Sequence, residues 1–512
     1  MGDDNLKRRM KYIPTRYIIA GLISLFMVLA VIGFVFQLCY HVPYFYCVAL
    51  VTQVFCVIRI IASDDNPDYK IPWILCVVIL PIVGFMLYFL FYSRKLKKRF
   101  IKRLRILRNQ GYKKENNELL LDLEKEDANA ANIARMLCSI SDSHLFTNTK
   151  QEYFPTGESM YHRLLQDLQS AEKFIYMEYF IIKDGKFWQS ILEILKEKAA
   201  NGVEIKVLYD DIGCMRTLPG YYYKSLKKHG IDAVPFSRLK GSADNEFNNR
   251  SHRKITVIDG KIGYTGGVNI GDEYINEVQK FGYWKDTAIR IEGEAVWKLT
   301  KLFLIDYGIN VKYIPTLRDD LYPELSLSEH GYVVPFGDGP FPIYNRRVSK
   351  SVIQNMITGA TRYAWMTSPY LIIDNDLCTD IENAALKGVD VRIVVPHIPD
   401  KKIVFGMTKS FYYRLMSAGV KIYEYEPGFI HAKNYLVDDK QAIIGTMNLD
   451  YRSFVHNFEN GIWMYGCNSV VDIKKDMEDI LNKSIEISDD MLKTNYLQKI
   501  IRAIVRIFAP LL

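Results

Sequence analysis

The sequence predicts an α/β protein made of two duplicated α/β/α domains with pseudo-two-fold symmetry, preceded by N-terminal transmembrane helices. Three observations predict it. From about Thr147 onward, apolar β-rich runs alternate with segments of helical periodicity. One ordered set of landmarks occurs twice, roughly 180 residues apart. Three long apolar runs fill the first 92 residues.

The 512 residues suit two or three domains. Hydrophobic residues make up 49% and charged residues 24%, which supports packed cores and excludes wholesale disorder. The net charge of +8 is mild, so its placement matters more than its size. Lys7, Arg8, Arg9 and Lys11 precede the first apolar run, and a basic cluster spans Arg94 to Arg105. Eight cysteines in this length make no disulfide framework, and the absence of a CxxC pair argues against structural zinc.

Tyr17 to Leu38 is uncharged over 22 residues, about 33 Å as a helix. Tyr44 to Ala62 is the second run, with Gln53 and Arg59 as its polar members. Ile71 to Tyr92 is the third, interrupted by Pro81 and Gly84. Aromatic ends at Tyr17, Tyr44, Trp73, Tyr88 and Tyr92 match a membrane interface. The runs predict a multi-pass membrane region, and the Arg94 to Arg105 cluster places the remaining chain on the cytoplasmic face, against anionic headgroups.

Beyond the membrane region, Phe174 to Ile182 reads as a strand, Trp188 to Ala200 as a helix and Gly202 to Tyr209 as the next strand. The order returns as Tyr363 to Thr367, Leu377 to Leu386 and Gly388 to Val395. Lys228 to Phe236 and Ser417 to Tyr425 correspond, each with a helix ending at Gly before a short strand. The chain divides into a membrane region (1–92) with two or three hydrophobic helices, a basic juxtamembrane linker (93–146), a first domain (147–325) and a second domain (326–512). The second domain ends in a basic amphipathic tail over Ile500 to Pro510 that suits a membrane surface.

Two matched strings carry the chemistry. His252, Lys254 and Asp259 are followed by Gly266 and Asn269; His431, Lys433 and Asp438 are followed by Gly445 and Asn448. Each reads H-x-K-x4-D, and each Asn lies 17 residues after its His. A strand puts residues i and i+2 on one face, so each His shares a face with its Lys. The Gly-rich return brings Asn269 and Asn448 back toward those faces. Two such faces meeting at one cavity suit a phosphodiester: one imidazole attacks phosphorus and the other donates to the leaving alkoxide. Two ammonium groups and two amides stabilise the equatorial oxygens, with no metal or cofactor required. Asp259 and Asp438 fit either a partner that holds a His tautomer or a structural turn.

These strings resemble the paired HKD motifs of the phospholipase D superfamily, and the chain from about Tyr44 to Leu512 resembles its bacterial cardiolipin synthase branch. Further matching strings are Ile79 to Tyr88, Leu208 to Gly213, Phe281 to Thr287, and Arg452 to Phe454 with Asn457 and Glu459. The chain departs from the family pattern at Ser251, where the family's usual residue is Asn, at Thr367 to Leu371, and in its extra first apolar run. The resemblance implies a phosphatidyl-histidine intermediate, with His252 as nucleophile and His431 as acid and base. It also implies that Asp286 and Glu459 are carboxylates orienting the motif histidines. The implied reaction is phosphatidyl transfer between two phosphatidylglycerol molecules, giving cardiolipin and glycerol. The alternative is a phospholipase D-type hydrolase, in which water takes the phosphatidyl group. The expected partners are phosphatidylglycerol and other anionic phospholipids and the membrane, with no nucleic acid, since no aromatic-basic stripe tracks a strand.

Overall fold

A computed structural model describes residues 43–63, 66–89, 98–108, 117–238, 248–318, 321–323, 329–492 and 505–507, with positions 26, 29, 30, 33, 34, 37, 40, 327 and 509. The chain forms two compact units: Lys97–Arg238 with Asn249–Asn495, and Met1–Leu96 with Leu239–Asn248 and Tyr496–Leu512.

The larger unit holds both duplicated halves. The first contributes β1 (Thr149–Phe154), β2 (Phe174–Tyr179), β3 (Glu204–Asp210), β4 (Asp232–Phe236), β5 (Lys254–Ile258), β6 (Ile262–Gly266), β7 (Tyr283–Lys285) and β8 (Ala288–Gly293). The second contributes β9 (Tyr332–Asp338), β10 (Tyr363–Thr367), β11 (Leu371–Ile372), β12 (Asp390–Pro396), β13 (Lys421–Tyr425), β14 (Gly428–Ile430), β15 (Asn434–Val437), β16 (Gln441–Gly445), β17 (Leu449–Asp450), β18 (Glu459–Tyr465) and β19 (Ser484–Glu486).

The first sheet has the order β1-β8-β6-β5-β2-β3-β4, and the second the order β9-β18-β16-β15-β10-β12-β13-β19. Apart from the added β19, one order is written twice, which is the duplication read from the repeated landmarks. In each half a parallel β-helix-β unit sits beside the antiparallel hairpin that follows the motif. Every residue of β2, β5, β10 and β15 is buried, so these central strands carry apolar and β-branched side chains on both faces. The strand expected through Ile182 ends at Tyr179, and Ile182 instead bridges to Ile270.

The segment expected as a basic linker is built into this unit. Helices Lys98–Arg108, Asn117–Glu126 and Ala128–Ser141 bury Leu104, Leu107, Leu123, Ile133 and Leu137, and Phe146 pairs with Val333 of β9. Part of the basic cluster is engaged here too. Arg103 donates to the Tyr313 carbonyl, and just beyond the cluster Arg108 Nη1 lies 2.7 Å from the Ile343 carbonyl. The pattern that suggests headgroup binding is, at these positions, the polar edge of a helix whose leucines face a core.

In the smaller unit, helix Pro43–Ile61 packs on helix Pro67–Ile79 through Cys56, Ile60, Tyr69, Trp73 and Val77. Among the described residues no helix is long and apolar enough to cross a membrane. The run Ile71 to Tyr92 is split at Leu80, because Pro81 has no amide hydrogen to continue a helix; a short helix Pro81–Leu87 follows. Most of the run Tyr17 to Leu38, and most of the tail Ile500 to Pro510, lie outside the described residues.

Candidate functional site

The two histidines are set by two short parallel pairings between the halves. Ser251 bridges to Phe458, and the His252 amide donates to the Phe458 carbonyl at 2.9 Å. β14 pairs with β7, with Ile430 opposite Lys285, and the His431 amide donates to the Lys285 carbonyl at 2.7 Å. In both pairings the residue before the histidine stands opposite the residue before a carboxylate. One register step therefore sets Glu459 against His252 and Asp286 against His431. Each ring is held by the other half: His252 Nδ1 lies 3.0 Å from both Glu459 carboxylate oxygens, and His431 Nδ1 lies 2.6 Å from Asp286 Oδ2.

A carboxylate only accepts, so each Nδ1 carries the proton and each Nε2 keeps its lone pair for chemistry. Burial, with Lys254 beside it, lowers the His252 pKa against the opposing pull of Glu459. Burial and Lys433 take His431 down to about 3. Burial pushes the Glu459 carboxyl up, but His252, Lys254 and the Thr446 hydroxyl more than offset it and hold the group below its ordinary value. Both imidazoles are thus neutral at neutral pH, and Glu459 is a carboxylate.

Lys254 Nζ donates to the His252 carbonyl at 2.7 Å, and Lys433 Nζ donates to the His431 carbonyl. Burial lowers Lys254 to about 7 and Lys433 to about 8, with Glu459 and Asp286 opposing. Each lysine acts on both imidazoles. The two motifs therefore form one electrostatic site rather than two.

Asn269 is held at both ends: its Oδ1 accepts from the Ile181 amide at 3.1 Å and its Nδ2 donates one hydrogen to Tyr274 at 2.8 Å. Asn448 Nδ2 donates to Asp450 at 2.9 Å, while its buried Oδ1 has no partner. Several groups that shape the site escape motif reading. Thr446 and Asn457 both donate to the Glu459 carboxylate. Phe180 meets the His252 ring edge-on at 5.1 Å, and Tyr274, Trp284 and Phe429 surround His431. Asn457 is part of the string after the second motif and Trp284 of the string Phe281 to Thr287; Phe180, Tyr274 and Phe429 come from separate segments and carry no spacing signal. Asp210 receives Arg250 Nε at 3.0 Å and the Ser251 amide at 3.1 Å, which fixes the approach to His252. Gly267 has to be glycine, since a Cβ there would lie 2.0 Å from Asp286 Oδ1. Among the described residues no group of three His, Cys, Asp or Glu could hold a metal ion; the cations of the site are its lysines.

A family model described as cardiolipin synthase, PLD-like domain, matches residues 164–293 and 353–481, one match per half. The cardiolipin synthase of Alkalihalophilus pseudofirmus is 36% identical over 439 residues, covering 84% of this chain and 86% of that protein. The chain belongs to the phospholipase D-like cardiolipin synthase family. The cardiolipin synthase of Halalkalibacterium halodurans is 34% identical over 440 residues, covering 85% of this chain and 87% of that one. An uncharacterized protein of Streptococcus mutans is 39% identical over 445 residues, covering 85% and 95%. A Phospholipase_D-nuclease N-terminal model matches residues 51–91. Among solved structures, the phosphatidylserine synthase of Haemophilus influenzae shares the fold: TM-score 0.56 at 16% identity, over 75% of this chain and 98% of that one.

The motif aspartates of this cardiolipin synthase family member are placed away from the imidazoles. Asp259 lies at the far end of β5, about 20 Å along the chain from His252 at strand rise. Its carboxylate accepts the amides of Glu172, Lys173 and Phe174 at 2.7–2.8 Å. Asp438 repeats the clip on Thr361, Arg362 and Tyr363 at 2.7–2.9 Å. Both backbones are left-handed, at φ 53° and 55°. Of the two readings of these residues, a tautomer-holding partner or a structural turn, the geometry supports the turn: each fastens the start of a central strand to the end of its neighbour. Burial raises the Asp438 pKa, but the Tyr363, Thr361 and Arg362 donors hold it below its ordinary value. Its contribution is therefore present above the ordinary aspartate pKa and lost as pH falls through the lowered value. Asp438→Ala is expected to cost about 1 kcal/mol of stability, read as a lower Tm, with activity lost only in step with folded protein.

Proposed function

We propose that the protein is a phosphatidyltransferase that joins two phosphatidylglycerol molecules, giving cardiolipin and glycerol. One observation carries the reading: two neutral imidazoles, each held through Nδ1 by a carboxylate of the other half, share two buried lysines. The bound phosphodiester raises the His431 pKa so that its Nε2 takes up a proton from solvent; His252 Nε2 then attacks phosphorus while the bond to the departing glycerol oxygen breaks and the His431 imidazolium gives that oxygen its proton. The glycerol hydroxyl of a second lipid then loses its proton to His431 and attacks phosphorus, and the P–N bond breaks. Lys254 and Lys433 stabilise the charge that develops on the phosphoryl oxygens, with the Asn269 and Asn448 amides in support. The phosphodiester brings the negative charge the site lacks, and so raises the imidazole and ammonium pKa values when it binds.

The same proposal covers placement. Val48, Val51, Phe55 and Ile58 of helix Pro43–Ile61 are more than half exposed, and an apolar face of that kind suits lipid. The catalytic unit works at the cytoplasmic face of the cell membrane on anionic phospholipid.

Phosphatidylglycerol vesicles given the purified protein are expected to yield cardiolipin and glycerol by thin-layer analysis. Phosphatidic acid as the main product would establish the hydrolase instead. The pH dependence has a definite sign. Both lysines must be cationic to meet the phosphate, and their free-enzyme values are about 7 and about 8. The kcat/KM profile is therefore expected to fall as pH rises through 7–8, with kcat holding to higher pH because bound phosphate raises both values.

A further inference from the structure

The two halves are matched in fold but not in polarity at the site, and we propose that Tyr370, Asp400 and Asn448 form a hydroxyl-binding subsite for the polar alcohol, on the second half alone. The inference rests on the phosphatidyl-transfer reading above and adds which side of the site each alcohol occupies.

Strand register fixes the comparison. Phe174 pairs with Glu204 in the first half, and Tyr363 pairs with Asp390 in the second. Ile182 bridges to Ile270, the residue after Asn269; Leu371 pairs with Leu449, the residue after Asn448. Counting along these registers, Tyr370 stands where the first half has Ile181, and Asp400 stands where it has Cys214. An apolar pair in one half is a phenol and a carboxylate in the other.

The polar pair is organised and incomplete. Tyr370 donates to Asp400 Oδ2 at 2.7 Å, and Asp400 Oδ1 is buried without a partner. Asn448 Oδ1 is buried without a partner as well, while its counterpart Asn269 Oδ1 is satisfied by the Ile181 amide. Asp400 and Asp450 both act on Lys433 and on Tyr370, and Asn448 is bonded to Asp450, so these groups are neighbours in one place. Tyr274, whose ring lies 5.6 Å from His431, also feels Asp400. Two unmet acceptors beside the site call for a ligand with two donors. A vicinal diol is such a ligand; a monohydric alcohol has only one hydroxyl donor. Lys401 Nζ lies 5.7 Å from the Tyr370 ring centroid, placing a cation next to the same spot. A polyol that itself carries a phosphate, which is the glycerol headgroup of an intact phosphatidylglycerol, meets all of these groups.

At the matching places the first half has Ile181 and Cys214, with Phe180 against the His252 ring, a less polar set that suits the diacylglycerol side of the phosphodiester. The polar alcohol therefore leaves from, and enters at, the His431 side. Its oxygen forms the new P–O bond as the P–Nε2 bond to His252 breaks, and its proton passes to His431 Nε2.

The test supplies phosphatidylglycerol vesicles with ethanol as a competing acceptor and measures the ratio of cardiolipin to phosphatidylethanol. Asp400→Asn is expected to lower that ratio about tenfold, because the site loses its match to a diol and not to a simple alcohol. Tyr370→Phe keeps the ring and should shift the ratio in the same direction. A wild-type ratio in both folded variants overturns the subsite, as does a phosphoryl label found on His431 and not on His252. Wild-type protein that makes neither transfer product overturns the transferase reading itself, a result visible without any variant.

Discussion

Replacing His252 with alanine is expected to lower cardiolipin formation by at least about three orders of magnitude and to abolish trapping of a phosphoryl-enzyme. No neighbouring group can take over. His431, held by Asp286 at 2.6 Å as His252 is by Glu459, is already occupied as acid and base, and both lysines also donate to backbone carbonyls. The loss should be in kcat, since the lysines that meet the phosphate remain. Quenched turnover of radiolabelled phosphatidylglycerol, followed by mapping of an acid-labile label, reads the result. Label retained in His252→Ala protein at another residue would refute the assignment of the nucleophile, and undiminished turnover would refute the mechanism.

Glu459→Gln is the second large effect, expected at about two to four orders of magnitude in kcat with little change in KM. The reason is tautomeric. Both Glu459 oxygens lie 3.0 Å from His252 Nδ1 and can only accept, which leaves Nε2 unprotonated and nucleophilic. A glutamine can turn its amide toward the ring and donate, which moves the proton to Nε2 and removes the lone pair that attacks phosphorus. Thr446 and Asn457 already donate to this carboxylate, so the geometry should survive while the chemistry does not. Asp286→Asn should act the same way on His431. Circular dichroism with a kinetic profile separates this from misfolding; a folded Glu459→Gln protein with wild-type kcat would show that Nδ1 contact does not set the tautomer.

Much of the fold is legible in the residues. The repeated order of landmarks announces two equivalent sheets, because a buried strand needs an unbroken β-branched run and a crossover helix needs its own period. Ile255 to Ile258 and Tyr435 to Val437 show that pattern plainly. The linker over 93–146 was not legible: a basic helix with buried leucines at Leu104 and Leu107 has the same composition whether it meets headgroups or a core. In the third apolar run the interruption at Pro81 is visible in the sequence, but hydropathy averages over it, and the break into two helices depends on one missing amide.

At the site, residue type and spacing alone determined that two histidines, two lysines and two asparagines come as matched sets, and the resemblance pointed to Asp286 and Glu459. Which carboxylate serves which ring was decided by tertiary structure, through two inter-half pairings between segments some 150–200 residues apart, whose register no local pattern records. The same holds for Asp259 and Asp438: spacing ties them to the motifs, but an extended strand carries them away from the imidazoles and into backbone clips. Chain order specifies which side chains travel together on one strand; only packing specifies which of them meet across a seam, because that contact depends on the relative placement of two separately folded sheets.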